Sequence, residues 1–109
     1  MSSITHLDEA TFDAAISSPV PVIVDFWAAW CAPCRAIAPE LERLAAAYGD
    51  RLRVAKVDVD AYPGLAGRYE VRSIPTLLCF LPGDPTPRAI VGLVNAEGIV
   101  ARFGLPPLV

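Results

Sequence analysis

The chain has 109 residues, of which 54% are hydrophobic and 19% are charged. This length fits one compact domain, residues 1–109, and the apolar fraction is enough for a buried core. A formal net charge of −3 argues against nucleic acid as a partner, and no apolar segment reaches the roughly 20 residues that span a bilayer. We therefore expect a single domain that binds neither nucleic acid nor membrane. We also expect a monomer, although nothing in the length, composition or charge determines the oligomeric state.

The amino terminus and the cysteine count bear on the compartment. The first residues contain neither the basic segment nor the apolar segment of a secretory signal. Three cysteines are too few, and odd in number, for a secreted scaffold held by several disulfides. These observations predict a cytoplasmic protein.

The first half of the chain predicts a helix followed by a βαβ unit. Asp8 or Thr11 can cap a helix that ends before Pro19. Residues 20–28 are almost all β-branched, apolar or aromatic, which is typical of a central strand covered on both faces. Between residues 31 and 48, apolar residues recur at helical spacing, which predicts a second helix. Residues 52–59 predict a second strand, parallel to the first because a helix separates them.

The second half predicts two helices on either side of a hairpin. Residues 63–69 indicate a short helix, and residues 76–81 and 88–91 indicate antiparallel strands joined by a proline-rich loop. Asn95 can cap a final helix. An apolar tail follows this helix. It can dock on the domain itself or on a partner, and the sequence does not decide between these alternatives.

Two of the three cysteines, Cys31 and Cys34, stand where a core strand ends and a helix begins. The unpaired N–H groups and the positive end of a helix favour a thiolate there. Residues three apart on a helical turn bring their Cα atoms to about 5–6 Å, within the range of a disulfide. We predict a reversible redox pair rather than a zinc site, because a zinc site needs about four ligands, only His6 and Cys79 remain as Cys or His candidates, and the chain has no second C-x-x-C motif.

The segment Val-Asp-Phe-Trp-Ala-Ala-Trp-Cys-Ala-Pro-Cys-Arg, from Val24 to Arg35, resembles the active-site segment of thioredoxins. The similarity continues, in the family's order, through Ile37-Ala38-Pro39, Val54 to Asp58, Ile74-Pro75-Thr76 and Val91-Gly92. It implies the thioredoxin fold, an α/β fold with a mixed central sheet and helices on both faces. It also implies a protein-disulfide reductase that needs no cofactor or metal beyond its own disulfide and receives electrons from a thioredoxin reductase.

The resemblance also implies roles for individual residues. Cys31 matches the family's exposed attacking thiol, and Cys34 matches its buried resolving thiol. Asp25 matches a buried carboxylate behind the disulfide that assists proton transfer, and Lys56 matches the lysine beside it. Because an isolated buried carboxylate is expensive, an ion pair with Lys56 is the alternative role for Asp25.

The surface on which substrate proteins dock is also implied by the resemblance. We call it the docking rim, and it consists of Trp30, Ala32, Pro33, Ile74, Pro75, Gly92 and Leu93. Pro75 matches a cis-proline opposite the disulfide. Phe26 and Trp27 are expected in the core, Cys79 is expected to be an inert buried thiol, and His6 is expected on the surface at a strand end.

Two residues depart from the family's usual pattern: Ala32 between the cysteines and Arg35 after them. Residues next to the cysteines influence the reduction potential of the pair, so the resemblance does not determine its value. A dedicated donor to one partner, or a more oxidising protein, is therefore a second hypothesis. A third is a non-enzymatic thioredoxin-like assembly subunit that uses the docking rim and the apolar tail.

Overall fold

A computed structural model describes residues 4–108, in which five strands form one sheet and four α-helices pack on it. The strands are β1 (Thr5–His6), β2 (Val22–Trp27), β3 (Arg53–Asp58), β4 (Thr76–Phe80) and β5 (Arg88–Val91). The helices are α1 (Phe12–Ile16), α2 (Ala32–Tyr48), α3 (Pro63–Arg68) and α4 (Ala96–Phe103). None of these helices is both long and apolar enough to cross a bilayer.

The sheet is mixed, as the resemblance implies. Its strand order is β1-β3-β2-β4-β5, with β3 parallel to β2 and β4 antiparallel to β2. The connection from β2 to β3 runs through α2, which completes the predicted βαβ unit. β2 is the central strand, and its first five residues are buried.

Helices cover both faces of the sheet. Consecutive side chains of a strand point to opposite faces, so Ile23 of β2 packs under α2 and α4. Its neighbours Val22, Val24 and Phe26 pack on the other side with α1 and α3. The predicted order of elements and the predicted fold class are confirmed.

The start of α1 is held by a reciprocal pair of contacts. The backbone N–H of Thr11 donates to the carboxylate of Asp8 at 2.9 Å, and the N–H of Asp8 donates to the hydroxyl of Thr11 at 3.0 Å. This arrangement satisfies two N–H groups near the helix start, in the manner of a capping box. The two candidate caps therefore bond each other, and Thr11, the N-cap residue, makes no side-chain bond into the helix.

The two ends of the sheet differ in what they carry. At the disulfide end, comprising residues 25–35, 74–75 and 91–93, β2 runs into α2 and β4 begins. At the tail end, comprising residues 47–51, 88 and 103–108, α2 and α4 stop and the apolar tail packs back. Leu105 and Leu108 contact the buried cluster under α2 and α4, so the tail docks on the domain itself. The proline-rich hairpin loop also lies at the tail end, because Phe80 pairs with Val22 at the start of β2.

Candidate active site

Cys31 and Cys34 form a disulfide at the start of α2, with their Cα atoms 5.2 Å apart. Cys31 is the N-cap residue, and its sulfur accepts a hydrogen bond from the backbone N–H of Cys34 at 3.2 Å. Pro33 lies in the first turn, where a missing N–H leaves no helical bond unmade. The helix start therefore points its N–H groups at the Cys31 sulfur, which favours negative charge on that atom after reduction.

The expected contrast in exposure between the two cysteines is wrong for this oxidised form. Cys31 is 4% exposed and Cys34 is 3% exposed. Both pack against Ile74, and the Cys31 sulfur lies 3.8 Å from the carbonyl oxygen of Ile74. The loop before β4 thus covers the first sulfur. What separates the two cysteines here is their position on α2, where Cys31 caps the helix and Cys34 lies inside its first turn.

The residues of the docking rim come together around the disulfide. The Ile74–Pro75 peptide bond is cis, as the resemblance implies. The N–H of Gly92 donates to the carbonyl of Pro75 at 2.9 Å, which brings the end of β5 beside this loop. Trp30 and Leu93 are strongly exposed for large apolar side chains, at 68% and 59%.

Val91 belongs to the same surface and was missed by the sequence analysis. Its side chain is 61% exposed, next to Gly92. Strand alternation around the buried Ile90 could have indicated it, because the neighbours of a buried strand residue point away from the core.

Asp25 lies in the middle of β2 and is fully buried. Strand alternation places it on the α2 face, with Lys56 of β3 and Leu77 of β4 as its neighbours across the sheet. Neither carboxylate oxygen has a hydrogen-bond partner within residues 4–108. Burial raises the pKa of Asp25 to about 7, and the charge of Lys56 opposes this rise. A carboxyl group with this pKa can take up and release a proton near neutral pH.

Lys56 acts on Asp25 through its charge and not through a hydrogen bond. Its ammonium group lies 5.6 Å from the ring centroid of Trp27, a cation–π contact between the neighbouring strands β3 and β2. The ion-pair role proposed as an alternative for Asp25 therefore lacks the close contact that it requires.

Phe26 is fully buried as expected, whereas Trp27 is only partly buried and packs at the border of the core, against the cluster that contains Cys31 and Cys34. Trp27 is the last residue of β2, where the covering helices no longer enclose the strand. Its ring meets the edge of His6, which lies exposed in β1 as expected. The indole nitrogen of Trp27 is itself buried without a hydrogen-bond partner within residues 4–108.

Two further contacts hold the loop that carries Trp30. The indole nitrogen of Trp30 donates to the carboxylate of Asp60 at 2.9 Å. The guanidinium of Arg35 donates from Nη1 to the carbonyl oxygen of Ala29 at 2.7 Å. Sequence analysis noted Arg35 only as a departure from the family and did not single out Asp60. A contact between residues 30 positions apart leaves no local pattern in a sequence.

Cys79 is buried in β4, within the cluster under α2 and α4. Burial raises the pKa of its thiol to about 11, so the group stays protonated and unreactive at neutral pH. Within residues 4–108, no group of three or more His, Cys, Asp or Glu side chains is placed to hold a metal ion.

Comparison with known proteins gives one family along nearly the whole chain. The family model described as Thioredoxin matches residues 3–103. Thioredoxin of Alicyclobacillus acidocaldarius subsp. acidocaldarius is 48% identical over 97 residues, which cover 89% of this chain and 91% of that protein. Thioredoxin of Staphylococcus aureus (strain Mu50 / ATCC 700699) is 47% identical with the same coverage. The crystal structure of chloroplastic thioredoxin z superposes with a TM-score of 0.86 at 29% identity, covering 95% of this chain and 94% of that one.

Proposed function

This chain belongs to the thioredoxin family, and we propose that Cys31 and Cys34 carry its reaction, with Asp25 as the proton acceptor. The protein is a thiol–disulfide oxidoreductase that reduces protein disulfides. The observation that best supports the residue assignment is the disulfide at the start of α2, where the Cys31 sulfur accepts the N–H of Cys34.

The first step is attack by Cys31. In the reduced protein, the Cys31 thiolate attacks one sulfur of a substrate disulfide. A bond forms between Cys31 and that sulfur, the substrate disulfide breaks, and the other substrate sulfur leaves as a thiolate that takes a proton from water. The helix start stabilises the attacking thiolate, because the N–H of Cys34 points at it.

The second step is resolution by Cys34. Asp25 accepts the proton of the Cys34 thiol, directly or through one water, and Lys56 tunes the affinity of Asp25 for that proton through its charge. The Cys34 thiolate attacks the Cys31 sulfur, the intramolecular disulfide forms, and the second substrate sulfur leaves as a thiolate. Two electrons have then moved from this protein to the substrate.

The docking rim serves as the contact surface for both substrates and reductant. Trp30 and Leu93 offer exposed apolar area beside the disulfide, and the backbone of Ile74 lies against the Cys31 sulfur, where an extended peptide can pair with it. Ala32, Pro33, Pro75 and Gly92 complete the rim. Disulfide-containing proteins dock here, and a thioredoxin reductase returns the two electrons.

The proposal includes the setting in which this protein works. We place it in the cytoplasm, in electron transport that maintains the thiol balance of the cell, as a monomeric single domain, 1–109. No cofactor or metal takes part, because the cysteine pair holds both electrons. The cysteine composition supports this setting.

Trapping of the mixed disulfide tests the assignment. Cys34→Ser lacks the resolving thiol, so it should accumulate disulfide-linked complexes with substrate proteins, whereas Cys31→Ser should accumulate few. Both variants are made in a Cys79→Ser background, so that only one thiol remains. Complexes are counted on non-reducing gels and the linked residue is identified by mass spectrometry. Accumulation by Cys31→Ser and not by Cys34→Ser would reverse the two roles.

The reduction potential tests the hypothesis of a more oxidising protein. Equilibration of the Cys31–Cys34 pair in a dithiothreitol redox buffer gives its midpoint potential. A value of about −270 mV, typical of thioredoxins, supports the reductase function, and a value of about −120 mV would make the protein an oxidant.

A further inference from the structure

The peptide unit between Ala29 and Trp30 lies in the loop after β2, between two segments that the fold holds in place. On one side of it, Ala28 is fully buried and its carbonyl accepts the N–H of Cys31 at 3.2 Å. On the other side, Cys31 is held in the disulfide and caps α2. Ala29 and Trp30 lie between these two fixed points, and both are exposed.

Arg35 reaches back from α2 to this peptide unit. Its Nη1 donates to the carbonyl oxygen of Ala29 at 2.7 Å. That carbonyl belongs to the same planar peptide group as the backbone N–H and the Cα atom of Trp30, so a bond that holds the carbonyl also holds the backbone from which Trp30 projects. The contact therefore restrains the backbone of the one aromatic residue of the docking rim, and the bond from its indole nitrogen to Asp60 holds the side chain.

The location of Arg35 has an electrostatic cost. A cation within the first turns of a helix is disfavoured by the helix dipole. The charge-assisted hydrogen bond to Ala29 offsets this cost, because bonds from a charged donor are stronger than neutral ones. The guanidinium group is suited to this reach, since its N–H donors project from a planar, rigid fork at the end of a long side chain.

We infer that Arg35 is a positioning residue for substrate recognition: its bond to the Ala29 carbonyl holds Trp30 in the orientation in which protein substrates dock. The inference rests on the proposed role of Trp30 in the docking rim. It assigns Arg35 to the binding of protein disulfides and not to the chemistry at Cys31. A small soluble disulfide, which needs no docking rim, should not depend on it.

The experiment compares Arg35→Ala with wild type on two disulfides. The KM for a protein disulfide such as insulin should rise about three- to tenfold, the effect of one lost hydrogen bond, while kcat changes little. The rate with 5,5′-dithiobis(2-nitrobenzoate) should stay within about twofold of wild type, since no rim contact is lost. The matched control is Arg51→Ala, because Arg51 also donates to backbone carbonyls, those of Ala47 and Tyr48, at the far end of α2.

A second readout reports on positioning directly. The ¹⁵N order parameter of the Trp30 backbone N–H should fall in Arg35→Ala from about 0.85, typical of rigid backbone, and stay unchanged in Arg51→Ala. An unchanged order parameter together with an unchanged KM would overturn the inference. An equal loss of rate on both disulfides would also overturn it, since it would place the effect at Cys31. Failure of the wild-type protein to reduce insulin would instead contradict the proposed function.

Discussion

The disulfide end and the tail end of this sheet differ in whether their buried polar groups have hydrogen-bond partners and in whether their apolar side chains are covered. At the disulfide end, Asp25 and the indole nitrogen of Trp27 are buried without hydrogen-bond partners within residues 4–108, and Trp30 is strongly exposed. At the tail end, the hydroxyl of Tyr48 donates to the carbonyl of Pro106, and Arg88 donates to the carbonyl of Phe103 at 3.1 Å.

This difference indicates that the features that destabilise the folded state are concentrated at the disulfide end. Unpartnered buried polar groups and exposed apolar surface both raise the free energy of the folded state. A reaction that needs a proton acceptor behind a disulfide and an apolar rim around it requires both. The tail end takes no part in the proposed reaction, so its hydrogen bonds and apolar contacts serve only the stability of the fold. Substitutions at the two ends should therefore separate stability from activity.

Truncation of the core at the tail end should have the largest effect on stability. Phe103 is 1% exposed in the cluster under α2 and α4. Phe103→Ala should lower the free energy of unfolding by about 3–5 kcal/mol, through lost burial and the cavity left behind. The exchange rate of the remaining folded protein should be unchanged. Denaturant unfolding and stopped-flow exchange measure the two quantities, with Phe103→Leu as the milder variant if the alanine does not fold.

Asp25→Asn should move stability and activity in opposite directions at the disulfide end. The pKa of Asp25 is raised by burial to about 7, so ionisation of this group in the folded protein is unfavourable. Asp25→Asn should raise the stability of the oxidised form at pH 7 by about 2–4 kcal/mol, at 1.4 kcal/mol for each pKa unit. It should also slow disulfide exchange, because the variant lacks the group that we propose as proton acceptor for Cys34.

The pH dependence of this effect has a definite sign. Between pH 4 and 7 the folded protein holds the proton of Asp25 while the unfolded chain, with its ordinary pKa near 3.8, has lost it. The contribution of Asp25 to stability therefore falls as pH rises through this window and is level above it. The advantage of Asp25→Asn should shrink toward pH 4. An asparagine variant that is destabilised and exchanges at the wild-type rate would make Asp25 a structural residue only.

Tyr48→Phe should have a smaller effect, confined to the tail end. It removes the hydrogen bond from the hydroxyl to the carbonyl of Pro106 and leaves the ring in place. The free energy of unfolding should fall by about 0.5–1.5 kcal/mol, with no change in exchange rate. Amide hydrogen exchange at Leu105 should accelerate, because the tail is less firmly held. Unchanged stability would mean that the tail contributes only through its apolar contacts.

The smallest effect is expected at Glu70, on the segment that leads to Pro75. Glu70 has a φ of 54°, in the left-handed region that favours glycine. Glu70→Gly should raise the free energy of unfolding by up to about 1 kcal/mol, since relief of the strained φ exceeds the added entropy of the unfolded chain. Glu70→Ala is the matched control, because it removes the exposed carboxylate and keeps the strain. An equal gain from both variants would assign the effect to charge.

Much of the fold could be predicted from the sequence because its signals are local. Helical spacing, strand runs and caps such as Asn95, whose side chain accepts the N–H of Gly98 at 2.8 Å, are properties of neighbouring residues. The disulfide of Cys31 and Cys34 is local in the same sense, since both lie on one helical turn. Element boundaries moved by one or a few residues, and the order of elements did not change.

The remaining features were decided by contacts between segments far apart in the chain. Three contacts depend on which segments pack together: Ile74 covers the Cys31 sulfur, Lys56 acts on Asp25 by charge without a hydrogen bond, and the tail reaches Tyr48. The sequence by itself determined that a thiol pair would stand at a helix start, and its resemblance to thioredoxins added a buried carboxylate behind that pair. Only the tertiary structure decided that neither oxygen of this carboxylate has a hydrogen-bond partner within residues 4–108, because hydrogen bonding and burial depend on every segment that packs around a side chain.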